Sequence, residues 1–329
     1  EIMNSLYTNP VYSAHLKSRN MKQTIMLGFS DGTKDGGYFM ANWSIYKAKE
    51  ELSDVSNDYG VAVAFFDGRG GPPARGGGNT HQFYASMGDR IKADDIQLTV
   101  QGQTISSNFG TIDSSQFNLE QLLSSGISNQ VFKNDDNHLA DKDRITMQQL
   151  ADKSYKSYSD FKSHPKFVPY LENMSTLQYY SKTNIGSRPS KRGNSKELNF
   201  SDLRAIPFVG SWSQSKQNVP GFFGVGSAIL AFDERGEFDK VDSLYQNSAF
   251  FRTLIANSMM SLTKSFFKLT AHIGEDEEFG SFWNIIHDEY LLTKVMLLKL
   301  TGYSELMEDQ PAGKHSIEMR EAIVQPLLT

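Results

Sequence analysis

The sequence has no cysteine in 329 residues, which excludes disulfides, thiolate metal sites and a cysteine nucleophile. It has no apolar run of the roughly 18–20 residues that a bilayer span needs. Nor does it open on a secretory leader, which fits a cytoplasmic protein. The first residue is Glu1 rather than Met, so the sequence reads as a piece of something longer. Basic charge is not in excess: Lys plus Arg is 33, Asp plus Glu 38, and the net charge −5. That balance argues against a protein that coats nucleic acid. The seven histidines (15, 81, 138, 164, 272, 287 and 315) are isolated and show no metal-ligand spacing. What is present suffices for a folded core, with 39% hydrophobic and 22% charged residues. The length allows two domains, or one large α/β domain with a helical extension.

Eleven of the 26 glycines fall between Gly28 and Gly78, where one pattern occurs twice. Thr24 to Leu27 reads as a short buried strand, followed by a polar turn over 28–37 and an amphipathic helix carrying Phe39, Met40, Trp43 and Tyr46. Val61 to Phe66 reads as a second buried strand, followed by a loop over 67–78 and a short helix after Asn79. A third strand is expected over 96–100. Consecutive strand–loop–helix units imply parallel strands with both faces covered, and chemistry at the ends where the loops gather. Beyond about residue 115 helical patterns dominate, over roughly 116–125, 144–162, 241–272 and 282–301. The chain therefore divides into a 1–115 β/α segment with anion-binding loops and a mainly helical 116–329 part. Residues 133–144 read as a charged loop and 184–199 as a mobile polar loop with Arg188, Lys191 and Arg192.

The strongest chemical feature is the loop Gly68 to Gly78, with six glycines and two arginines. Glycine lets backbone N–H groups turn toward a ligand, and Arg69 and Arg75 add planar donors suited to phosphate or carboxylate. A plain flexible turn competes but needs no paired arginines. An RNA-binding RGG tract also competes, yet such tracts are long, disordered and basic. The Walker pattern is excluded, since its Lys-Ser/Thr is missing. Asp31, near Lys34 and Asp35, is a carboxylate at a strand end and a reasonable Mg²⁺ or Mn²⁺ ligand; helix capping is its ordinary alternative. An EF-hand is excluded because Asn42 stands where a glutamate is required. Arg204 lies in an apolar run, Leu203 to Phe208, where a cation is usually partly buried and paired. Few acids lie near these arginines in sequence, so an anionic ligand is the better partner. Gly221, Gly224 and Gly226 are in the wrong order for a dinucleotide fingerprint and read as packing or turn glycines.

Six motifs then give a resemblance: MLGFSDGTKDGG (26–37), FDGRGGPPARGGG (66–78), TVQGQTISSNFGT (99–111), FVPY (167–170), IGSRPSKR (185–192) and LRAIPFVGSWSQ (203–214). In this order they resemble the carboxyl-terminal part of phosphoenolpyruvate carboxylases, over residues 20–327. The resemblance implies an α/β fold with predominant helix, the later part of a parallel β/α (TIM-like) barrel embedded in an α-helical domain. It implies a carboxy-lyase that turns phosphoenolpyruvate and bicarbonate into oxaloacetate and phosphate with Mg²⁺ or Mn²⁺. Bicarbonate attacks the phosphoryl group; carboxyphosphate and an enolate form, and the enolate captures the CO₂ released. Nearly every species is anionic, so cations and backbone donors with water excluded are the physical need.

By this resemblance Arg69 and Arg204 bind phosphate, Arg75 holds the carboxyphosphate stage, Gly76 and Gly77 let the loop close, and Arg188 lines the site. Asp31 becomes one of two metal carboxylates. The second, a glutamate, would precede Glu1, as would the family's catalytic histidine and a further arginine, so the 329 residues alone are expected to be inactive. Arg75, Lys264 and Arg320 map to the binding residues of the feedback inhibitor aspartate, and a final asparagine would lie beyond Thr329. From the residues alone Lys264 reads as a surface lysine and Arg320 as a rim charge. A homotetramer is implied. Two departures stand out. Asp67 replaces the family's usual histidine, and an acid there is expected to pair with an arginine and weaken the local positive field. Pro72, Pro73 and Ala74 replace more flexible residues and stiffen the loop. The competing function is a non-catalytic module that senses phosphorylated or dicarboxylic ligands.

Overall fold

The computed structural model describes residues 1–92, 95–131, 138–180 and 198–327. Two short helices, α1 (Ile2–Thr8) and α2 (Pro10–Ser18), precede strand β1 (Lys22–Gly28). Helices α3 (Phe29–Gly36) and α4 (Tyr38–Asp58) lead to β2 (Ala62–Gly68), and α5 (Thr80–Ala85) to β3 (Ile96–Leu98). The three strands are parallel in the order β1-β2-β3, with Lys22 opposite Ala62, Gly28 opposite Gly68 and Asp67 opposite Leu98. Among the described residues the sheet has these three strands and does not close. Helices follow: α6 (Gln103–Phe109), α7 (Ile112–Val131), α8 (Asp141–Lys162), α9 (Phe167–Asn173), α10 (Leu177–Tyr180) and α11 (Ala205–Gln214). The remainder are α12 (Val225–Asp233), α13 (Phe238–Asn247), α14 (Ala249–Thr263), α15 (Gly280–Thr301) and α16 (Pro311–Val324).

Strand β2 is buried from Val63 to Phe65 and again at Asp67, because its residues are apolar on both sides. Strand β1 is not. Its residues alternate, with Ile25 and Leu27 half-buried and Lys22, Thr24 and Met26 exposed, so one face of this edge strand lies open. The expected covering of both faces therefore fails at β1.

The expected polar turn over 28–37 is mostly the helix α3. Phe29 and Thr33, one helical turn apart, are buried, and so is Lys34. The helix stops where Gly37 adopts φ 77°; a side chain there would also meet the Tyr158 ring at 3.0 Å. The expected helix over 241–272 is broken. Ser248 turns extended and its hydroxyl accepts from the Phe251 amide at 3.1 Å, which caps α14. After α14 the chain tightens into 3₁₀ geometry over Phe267–Glu275. Part of the charged loop over 133–144 is the start of α8, where Asp141 and Asp143 sit in the first turn and favour the helix dipole. Residues 181–197, including Arg188 and most of the polar loop, lie outside the described residues.

One continuous core takes side chains from Phe29 to Ile317. At its centre Phe161 stacks on Phe223 and Phe282, and Tyr170 stacks on Trp212. Gly224 (φ 87°) and Gly226 serve packing, as read from the sequence: a Cβ would lie 2.6 Å from the Ser154 carbonyl oxygen and 2.5 Å from Thr293 backbone respectively.

Candidate functional site

Strand β2 delivers the glycine loop. Its last residues are pinned first: the Asp67 carbonyl accepts from the amides of Arg69 (2.8 Å) and Thr99 (3.1 Å). The loop then folds on itself. The amides of Gly70, Arg75, Gly76, Gly77 and Gly78 donate to the carbonyls of Arg75, Pro72, Pro73, Pro72 and Gly71. These N–H groups are spent inside the loop, so the expectation that they face a ligand is corrected. The glycines are needed for close approach instead. A Cβ on Gly77 would stand 1.9 Å from the Gly71 carbonyl oxygen, and one on Gly76, at φ 75°, would stand 2.5 Å from the Phe29 ring. Pro73 and Ala74 are buried, and the short 3₁₀ turn Pro73–Arg75 packs on α14.

The donors left without protein partners here are on cationic side chains. Arg69 is 3% exposed. Its Nε donates to the Gly76 carbonyl, and its guanidinium lies 4.3 Å from the Phe83 ring centre. Its Nη2 is buried and has no partner among protein atoms. Arg75 crosses over Gly70, donating from Nε to Ser30 Oγ (3.1 Å) and from Nη2 to Gln101 Oε1 (3.2 Å). Gln101 in turn donates to the Arg69 carbonyl (3.0 Å). Arg204 precedes α11, is half-buried, and leaves its Nε buried without a partner. The segments carrying these three arginines share one neighbour, α3. Gly76 abuts Phe29, Arg75 bonds Ser30, and α11 packs along the helix. Buried guanidinium N–H groups without acceptors are costly, and an anionic ligand offsets that cost.

Asp31 lies in the first turn of α3, at the same end of the sheet, and is exposed. It does not cap α4, whose N-cap is Gly37. Among the described residues no group of three His, Asp or Glu side chains comes together. The residues present thus offer a divalent ion one carboxylate and do not complete a coordination set.

The acid at position 67 behaves differently from expectation. Asp67 is fully buried, yet its Oδ2 pairs with Lys49 Nζ (2.7 Å) and accepts from the Tyr84 hydroxyl (2.8 Å), so its ion pair is to this lysine rather than to an arginine. Sequence reasoning missed Lys49 because it reads as one of several polar positions on an amphipathic helix.

Lys264 caps the end of α14 and is half-buried, not a surface lysine. It shares a small cavity with Pro72, Pro73 and Ala74 of the glycine loop. Burial, then the positive charges of Arg320 and Lys216, push its pKa down to about 8, against the opposing pull of Glu321. Lys216, buried and paired with Glu321, went unnoticed in the sequence. Lys264 and Arg320 are thus brought near each other, while Arg75 engages Ser30 and Gln101.

A family model described as phosphoenolpyruvate carboxylase matches residues 1–329. The chain belongs to the phosphoenolpyruvate carboxylase family. Membership supports a phosphoenolpyruvate carboxylase-type function, a carboxy-lyase whose substrates are phosphoenolpyruvate and bicarbonate and whose product is oxaloacetate. The family is generally dependent on a divalent metal. Among the described residues no helix is long and apolar enough to cross a membrane.

Proposed function

We propose that Arg69, Arg75 and Arg204 are the anion-holding set of a phosphoenolpyruvate carboxylase site. The observation that carries this is the pair of buried, unpartnered guanidinium nitrogens, Arg69 Nη2 and Arg204 Nε, on segments that meet at α3. Arg69 and Arg204 receive the phosphoryl group. As bicarbonate attacks it, negative charge builds on the phosphoryl oxygens and then on the enolate, and fixed guanidinium donors in a dry site stabilise both. Arg75, hinged between Ser30 and Gln101, serves the carboxyphosphate stage. Gly76 and Gly77 allow the tight loop that brings it there, and Arg188 belongs to the same site by its motif. Asp31 is one carboxylate contact for Mg²⁺ or Mn²⁺. The three strands are the later part of a β/α barrel, with 1–115 and 116–329 as its two functional segments, in a cytoplasmic homotetramer. An RGG-type reading loses its basis, because the loop is folded and Arg69 is buried. No observation favours a purely sensory module.

Since the described residues complete no metal site, the 329-residue chain is expected to bind phosphoenolpyruvate without forming oxaloacetate. Titration calorimetry and an NADH-coupled oxaloacetate assay test this. Binding without turnover is the expected result, and metal-dependent turnover contradicts it.

Lys264 and Arg320, with Arg75, are proposed to receive an aspartate-type dicarboxylate. The sign of the pH effect follows. Lys264 is held near pKa 8 against an ordinary 10.5, so below about pH 8 it is charged and attracts a carboxylate. A bound carboxylate raises that pKa again, so binding near pH 8–9 takes up a proton. Aspartate affinity should fall as pH rises through about 8, and calorimetry in buffers of different ionisation enthalpy should show the uptake. Affinity that is flat from pH 7 to 9.5 contradicts it.

A further inference from the structure

We propose that Lys49 is a positioning residue: by neutralising Asp67 it keeps the Arg69 guanidinium available to the anion. The inference rests on the reading that Arg69 holds phosphoenolpyruvate, and it goes beyond that reading to a residue no motif singles out.

Asp67 is the residue two before Arg69 and is fully excluded from water. A carboxylate so placed needs a counter-charge. Two cations flank the same pair of rings. Lys49 Nζ lies 5.8 Å from the Phe83 ring centre and 5.7 Å from that of Tyr84. The Arg69 guanidinium lies 4.3 Å and 5.3 Å from the same two rings. Lys49 takes the carboxylate, at 2.7 Å, and Tyr84 donates to the same oxygen at 2.8 Å. Arg69 keeps an unpartnered Nη2. The other Asp67 oxygen, Oδ1, also has no partner, so the carboxylate has capacity left for a second cation.

A buried ion pair is weak evidence for stability, since apolar residues of similar size often serve as well. Its use here is to decide which cation the acid owns. Remove the lysine's charge, and Asp67 in low dielectric recruits the Arg69 guanidinium, which lies against the same Tyr84 ring. The anion site then loses its donor although Arg69 is still in the chain. Burial draws the Lys49 ammonium below the ordinary lysine range, and the Asp67 carboxylate beside it opposes that.

The test compares Lys49→Gln, Asp67→Asn and the double variant with the unaltered chain, by calorimetric titration with phosphoenolpyruvate and by the ¹⁵N–¹H signal of Arg69 Nε. Lys49→Gln should weaken binding by at least about tenfold, as expected when one partner of a buried charge pair is removed. The double variant, which also removes the acid's charge, should return to within about threefold of the unaltered chain. The Arg69 signal should move in Lys49→Gln and return in the double variant, whether or not ligand is present. A merely structural lysine would leave the double variant as weak as the single one, and that result overturns the proposal. So does a Lys49→Gln chain that binds normally with an unmoved Arg69 signal. If Lys49→Gln does not fold, Asp67→Asn and the double variant decide: both should bind within about threefold, and loss of binding in either refutes the proposal. Failure of the underlying reading shows separately, as unchanged binding in Arg69→Ala, and the Arg69 signal then decides the role of Lys49 alone.

Discussion

Replacing Arg69 by alanine is expected to weaken phosphoenolpyruvate binding about thirtyfold or more, since one buried charge-assisted contact supports roughly 2–5 kcal/mol and each 1.4 kcal/mol is tenfold. Among the described arginines proposed for this site Arg69 alone is nearly fully buried, its Nη2 has no partner among protein atoms, and its guanidinium lies 4.3 Å and 5.3 Å from the Phe83 and Tyr84 ring centres. Binding energy lost there is not recovered from solvent. Arg69→Lys should recover little, because a point charge cannot reproduce a fixed planar fork. Arg235, on an exposed pair with Glu237 at 2.9 Å, is the control: its alanine variant should bind normally. Calorimetric titration of the three variants measures this, and tight binding by Arg69→Ala sinks the assignment.

The second large effect is expected at Gly77. An alanine methyl would have to sit 1.9 Å from the Gly71 carbonyl oxygen and 2.3 Å from its carbon, and that neighbour is backbone, which cannot swing aside. The two strands of the loop must part. The Gly77-to-Pro72 and Gly78-to-Gly71 hydrogen bonds should then be lost, along with the seating of Arg69 Nε on Gly76. A destabilisation of about 3 kcal/mol is expected for overpacking of this kind, with phosphoenolpyruvate binding abolished. Gly126, in the middle of α7 with nothing within 4 Å of its would-be Cβ, is the contrast. Gly126→Ala should be neutral or stabilising by up to about 1 kcal/mol, from helix propensity alone. Thermal melts with ligand titration separate the two; a Gly77→Ala chain that melts and binds normally contradicts the loop's geometry.

Much of this was legible in the residues. Val61 to Phe66 had to be a buried strand, the six glycines marked the loop, and Gly224 and Gly226 were readable as packing or turn glycines. Strand β1 misled because Ile25 and Leu27 carry the apolar signal for only one face, while Met26 on the other is open. Helix α3 misled because glycine, aspartate and lysine spell a turn locally; Phe29 and Thr33 are buried by partners far along the chain, among them Phe83 and α11. The same limit hid Lys49. Nothing in a helix's spacing says that one lysine will face an aspartate 18 residues later, and the structure alone shows that Asp67 is matched by it rather than by Arg69. Lys264 was visible only through resemblance, since its environment comes from α16 and the loop rather than from α14 itself.

A crystal structure of the chain with phosphoenolpyruvate bound is the most direct measurement. The phosphoryl oxygens should lie about 3 Å from Arg69 Nη2 and from the Arg204 guanidinium, with Arg75 beside them over α3. Ligand density away from α3, with Arg69 Nη2 still unpartnered or turned onto Asp67, would contradict the account.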